Sequence, residues 1–204
     1  MKRFIFLFIF LISFFAKSQD SQINVQIKKA KLVDNVSFFG IRQLRVTDDR
    51  LRKVMIKTKI TSSEENKTKL SAFCLLDIDN KIRYRLADYK GYVAIIGEPE
   101  LIPLRKSKTF ITEDGKEVNI LGPEYNPNIK DYFNDYDMEG YKNFENLINF
   151  GTKNRPANSI IYFGETDYIK FTAELYFAII QENSTSKYQL YYKDKLISDI
   201  TFKQ

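Results

Sequence analysis

From Ile23 onward, Ile23, Val25 and Ile27 alternate with Asn24, Gln26 and Lys28, the period of two that a strand shows when one face is buried. Residues 36–46 form a second, less regular candidate strand. Over 51–60, Val54, Ile56, Thr58 and Ile60 share one face and Lys53, Lys57 and Lys59 the other, so the lysines are expected on the solvent side, ahead of a polar turn at 62–67. Residues 70–78 are almost continuously apolar, which predicts a central strand covered on both faces. Asp79-Asn80 then makes a tight turn into Ile82, Tyr84 and Leu86, alternating with Arg83 and Arg85, and the two segments are predicted to pair as a hairpin. Residues 92–96 and 108–112 follow, the latter turning at Asp114-Gly115 into 118–121 as a second hairpin.

The pattern breaks at 122–158. This segment holds Pro123, Pro127 and Pro156, many asparagines, and an acidic, tyrosine-rich stretch over 125–141. Within it Met138, Tyr141, Phe144, Leu147 and Ile148 recur at roughly helical spacing, with Asp137 placed to cap the start and Gly151 to end it. A short helix carried on an insertion is predicted. Strands resume at 160–163. After them Ile169, Phe171, Ala173, Leu175, Phe177 and Ile179 line one face, while the other changes from Lys170, Thr172 and Glu174 to Tyr176, Ala178 and Ile180. That switch predicts a strand running from an exposed region into a covered one. Residues 188–192, a Lys193-Asp194 turn and 196–202 close the chain as a final hairpin.

About nine or ten short strands with one small helix argue for a mostly β fold, an antiparallel two-sheet β-sandwich. The layout over 51–202, with the 70–86 hairpin, an irregular segment, a long phenylalanine-containing strand and a terminal hairpin, resembles immunoglobulin-like sandwich domains of bacterial envelope and secreted proteins. The chain lacks the Cys-Trp-Cys set of true immunoglobulins, having one cysteine and no tryptophan, and the resemblance carries over no functional residue.

The first eighteen residues alter the reading of composition. Lys2 and Arg3 precede an apolar run over 4–16 that ends in Ala16-Lys17-Ser18, the form of a cleavable export signal. A run of about thirteen residues covers roughly 20 Å, short of a roughly 30 Å bilayer core, so no stable membrane anchor is expected after cleavage. No cysteine stands at the cleavage point for a lipid anchor, Cys74 being the only one. The mature part, 19–204, is expected to be one domain, periplasmic or extracellular. The chain has 32 basic and 26 acidic residues. Lys2, Arg3 and Lys17 leave with the signal, so its net charge falls from +6 to +3, an ordinary value that does not call for nucleic acid. Arg83-Tyr84-Arg85 and the basic stretch Arg42, Arg45, Arg50, Arg52 and Lys53 are read as products of strand alternation.

Histidine is absent, which rules out Ser-His-Asp and Cys-His catalysis and His-ligated zinc within this chain. Cys74, within Ala72-Phe73-Cys74-Leu75-Leu76, is expected to be a buried small hydrophobe. Asp135, Asp137 and Glu139 before Gly140 imitate the first half of a calcium loop, but Asn146 stands at the twelfth position where that loop needs glutamate. They are a calcium candidate, the one cofactor considered. Tyr125, Tyr132, Tyr136 and Tyr141 are candidates for an aromatic contact face toward a glycan or an envelope protein. Asp135 with Asp137, or Glu165 with Asp167, would be the acid and base of a carboxylate hydrolase. The leading expectation is a non-enzymatic binding or structural protein of the cell envelope that uses 122–158 as its contact surface. The alternatives are a carboxylate-based glycan hydrolase and a calcium-dependent binding module.

Overall fold

The computed structural model describes residues 23–33, 36–38, 42–46, 50–92, 105–107, 110–111, 117–118, 130–144, 148–149, 158–159 and 161–203. Their strands are β1 (Asn24–Val33), β2 (Val36–Phe38), β3 (Arg42–Val46), β4 (Leu51–Thr61), β5 (Thr68–Lys69), β6 (Phe73–Asp77), β7 (Ile82–Arg85), β8 (Asp88–Tyr92), β9 (Arg105–Ser107) and β10 (Phe110–Ile111). They continue with β11 (Glu117–Val118), β12 (Lys142–Phe144), β13 (Ile148–Asn149), β14 (Asn158–Ser159), β15 (Ile161–Phe163), β16 (Glu165–Thr166), β17 (Lys170–Ile180), β18 (Tyr188–Tyr192) and β19 (Lys195–Ile200). Helical geometry is confined, among the described residues, to the 3₁₀ turns Leu70–Ala72 and Gln181–Asn183.

Two sheets organise the protein. The first has the order β1-β4-β17-β8, all antiparallel. The second has the order β12-β7-β6-β18-β19, antiparallel except where β12 joins β7 in parallel. Smaller ladders join β14-β13-β3-β2, β15-β9, β10-β11 and β16-β5. Val54, Ile56, Phe171, Leu175 and Phe177 of the first sheet belong to one buried cluster with Phe73, Leu75, Tyr84, Tyr188 and Leu190 of the second. Each such side chain contributes about 1.5–3 kcal/mol on leaving water. A parallel bridge between Lys31 and Lys203, with Leu32 N–H donating to the Lys203 carbonyl at 3.2 Å, ties the edge strand β1 to the chain end beyond β19.

The alternation that opens the chain shifts phase once. The β1–β4 register slips between Ile27 and Lys29, a bulge that lets both Ile27 and Ala30 face inward although three positions apart. β17 carries the predicted change of environment: Lys170 is exposed, Thr172 and Glu174 are half-buried, and Tyr176 and Ala178 are buried. The 82–85 hairpin and the terminal hairpin form as read, each with a lysine in the left-handed region at its turn, Lys81 (φ 56°) and Lys193 (φ 58°).

Two expectations are corrected, and the alternating strand β7 proves covered on both faces. Residues 70–78 do not form one strand, because a 3₁₀ turn takes Leu70–Ala72 and the strand is Phe73–Asp77. The helix starting at Asp137 does not form. Gly140 sits at φ +78° in a turn closed by Tyr141 N–H on the Met138 carbonyl (3.1 Å), and Lys142–Phe144 extends along the open edge of β7. The apolar spacing is satisfied instead by a turn followed by a strand, with Phe144 edge-on to Tyr84 at 5.3 Å. Arg83 and Arg85 are 0% and 3% exposed and do not face solvent.

Candidate functional site

β6 and β7 bring four side chains to the face of the second sheet away from the shared core: Cys74 and Leu76, which join Phe133 in a small cluster of their own, and the arginines Arg83 and Arg85. In a hairpin exposed on one side these positions would be wet. Here the segment 130–144 lies over them, and its anchor is Phe133, fully buried. The Arg83 and Arg85 guanidiniums stand 3.8 Å and 4.2 Å from the centre of its ring, close enough for cation–π attraction of about 2 kcal/mol each when desolvated.

The two charges are compensated separately. Arg85 makes a two-pronged pair with Asp131, Nη1 to Oδ1 at 2.7 Å and Nη2 to Oδ2 at 2.9 Å. The same carboxylate accepts the Phe133 backbone N–H at 3.1 Å and Asn134 Nδ2 at 3.2 Å. Four donors on two oxygens hold Asp131 and orient the residues that follow it. Arg83 donates to the Phe133 carbonyl at 2.7 Å and to Asn143 Oδ1 at 3.2 Å, with Asp137 at 3.8 Å. Tyr132 N–H bonds Ser71 Oγ at 3.0 Å, and Lys142 N–H bonds the Lys81 carbonyl at 2.8 Å. The segment is thus pinned at its start, centre and end. Burial pushes the Cys74 thiol above its ordinary value, partly offset by Arg83 beside it.

The sequence-derived candidates have these places. Tyr132 is half-buried against the main core, its ring under the ammonium groups of Lys69 (4.7 Å) and Lys130 (5.4 Å) and its hydroxyl 3.4 Å from Glu165. Tyr136 also packs on the main core, whereas Tyr141 packs on the Cys74 cluster under Lys81 at 5.1 Å. Tyr132 and Tyr136 therefore share the main core while Tyr141 sits on the other cluster, and each is partly buried in packing. Tyr125 lies outside the described residues, as does the signal segment 1–18. Asp135 pairs with Lys130 at 2.8 Å, which raises the lysine's proton affinity. Asp137 leans toward Arg83 and Glu139 is exposed. Among the described residues no three carboxylate, thiol or imidazole side chains gather to hold a metal ion. Glu165 meets the Tyr132 hydroxyl, and Asp167 forms an ion pair with Lys67.

Sequence reasoning passed over Phe133 and read Arg83 and Arg85 only as products of strand alternation. The available signal was the apolar run Phe73-Cys74-Leu75-Leu76: a strand apolar on both faces requires a cover on each, and the irregular segment supplies the second one. A groove of about 660 Å³ runs past Arg52, Ser184, Ser186, Lys187, Gln189 and Phe202, and none of the tyrosine or carboxylate candidates lines it. No protein-family model matches the chain, and no curated protein or solved structure matches it either.

Proposed function

We propose that this chain is an exported, non-enzymatic binding or structural protein of the bacterial cell envelope, built on an immunoglobulin-like β-sandwich and making contact through the acidic turn within 130–144. Strand order supports the architecture. Taking β1, β4, β17 and β8 as A, B, E and D, and β6, β18 and β19 as C, F and G, the two sheets read A-B-E-D and C-F-G, with β7 as an added strand beside C. The shared buried cluster is what facing sheets would produce. Export rests on the basic start, apolar run and Ala16-Lys17-Ser18 ending of residues 1–18.

The observation that carries the contact surface is the Phe133 clasp. Buried charges are costly unless paired, and here two arginines are spent on holding one turn against the sheet. The turn then presents exposed Asn134, Asp137 and Glu139 on a fixed backbone, so little ordering cost remains for a partner to meet. Its charge favours a basic partner surface. The test uses Glu139→Lys, which reverses the charge at an exposed position and leaves Asp137 beside Arg83, in affinity capture from envelope extract. Loss of the proteins captured by the wild type supports the reading, and an unchanged set refutes it.

A further inference from the structure

We propose that the solvent-facing side of the first sheet is a docking surface for an anionic polysaccharide. Position by position, the register puts Lys29 directly opposite Lys57, and Lys57 opposite Glu174. One step along, Lys59 lies between Gln26 and Thr172, and Lys170 sits opposite Thr61 at the end of the sheet. Lys28, in the β1 bulge, is exposed, as are Lys29, Lys59 and Lys170, and the Lys57 side chain is 40% exposed. Against these five lysines the strand positions of this part of the face hold one acid, Glu174, already engaged by Lys57 at 3.3 Å and by the Tyr176 hydroxyl at 2.7 Å, while Glu64, Glu65 and Asp167 lie beyond the strand ends. The next acid in register, Asp88, is buried beside Tyr176 at the covered end. A local excess of four positive charges therefore stands on a chain whose total is +6.

Folding alone does not ask for this arrangement. Lysines on an edge strand such as β1 discourage sheet-to-sheet aggregation, but Lys57, Lys59 and Lys170 lie on the central strands β4 and β17. A like-charge pair directly across a ladder, as Lys29 and Lys57 are, is destabilising. A bound polyanion removes that cost and gains a salt-dependent attraction.

The shape favours a chain over a planar membrane. At the 62–67 end, exposed Glu64, Glu65 and Asp167 would meet an anionic bilayer, whereas a linear polymer lying across the strands avoids them. The lysines are point charges without arginine's planar fork, which suits a repeating anion recognised by charge spacing.

The experiment measures binding of the full-length mature protein to immobilised dextran sulfate across a salt series, with phosphatidylglycerol vesicles as a second probe. Lys29→Gln/Lys57→Gln/Lys59→Gln is compared with Lys142→Gln/Lys187→Gln/Lys195→Gln, which removes the same charge elsewhere. Each lysine near an anionic surface contributes about a fivefold change in affinity, so the face variant is expected to bind dextran sulfate at least tenfold more weakly, with a shallower salt dependence, while the control stays near wild type. Single Lys59→Gln provides the comparison if the triple variant does not fold. Absent binding by the wild type at low salt, equal losses in both triple variants, or lysine-dependent binding to vesicles without binding to the polysaccharide would each overturn the proposal.

Discussion

Replacing Phe133 by alanine removes a ring that has no solvent exposure, touches two buried guanidiniums and covers Cys74 and Leu76. Truncating a buried phenylalanine costs about 3–5 kcal/mol, and the lost cation–π contacts belong to the same loss. If 130–144 docks as a local unit, this cost appears first in its own opening equilibrium. At the lower figure, about 3 kcal/mol, the open fraction rises about 150-fold at 25 °C. The chain carries its own reporter, because Cys74 is the single cysteine and is fully buried. A thiol reagent in excess reacts only with the opened form, so its rate reads the opening equilibrium. Phe133→Ala is expected to raise the Cys74 labelling rate by about two orders of magnitude in native buffer, with far-UV circular dichroism unchanged. Phe133→Leu keeps apolar volume while losing the ring's attraction for the arginines, and should give about a tenfold rise. A wild-type labelling rate in Phe133→Ala, accompanied by a lowered melting temperature, would refute the reasoning: Cys74 would then be reached by a route that neither opening of the segment nor loss of stability controls, and the segment would not be its cover.

Asp131→Asn should destabilise by about 2–4 kcal/mol in urea titration because Arg85 stays buried without its full counter-charge. Adding Arg85→Met should recover at least half of that loss, and strictly additive effects would deny the coupling. Lys193→Gly relieves a non-glycine residue held at φ 58° and is expected to raise stability by about 0.5–1 kcal/mol, seen as a melting-temperature gain of about 1–4 °C. Burial pushes Tyr192 up to about 12 and raises Tyr84 and Tyr188 as well. The folded state therefore keeps protons that the unfolded chain releases from about pH 10, and stability is lost as pH rises above that point, by about 2.3 kcal/mol at pH 12 from Tyr192 alone. Urea midpoints should be level from pH 7 to 9 and fall beyond pH 10, whereas a flat profile to pH 11 would contradict the tyrosine burial. Millimolar calcium against chelator is expected to leave the melting temperature unchanged, and an upward shift would show that Asp135, Asp137 and Glu139 take part in a site.

Much of the β scaffold was legible in the order of residues because a strand's period of two is local. Each inward position is decided by its immediate neighbours, so Val54, Ile56 and Ile60, and likewise Phe171, Ala173 and Leu175, declare their face without reference to the rest of the chain. The turns at Asp79-Asn80 and Lys193-Asp194 are equally local. Even the passage of β17 from exposed to covered surface could be read, because the composition of its second face changes at Tyr176. What the sequence could not decide was the cover over that chemistry. Met138, Tyr141 and Phe144 suit one side of a helix or a turn followed by a strand, and the choice fell to the unpaired edge of β7, 57 or more positions earlier in the chain. Arg83 and Arg85 alternate with apolar neighbours as solvent-facing residues do, and only the arrival of Phe133 and Asp131 from about fifty residues away turned them into buried anchors. Local period set the strands; long-range compensation of buried charge, which no local pattern encodes, decided which surface the tyrosine-rich segment would cover and which side chains it would leave facing water.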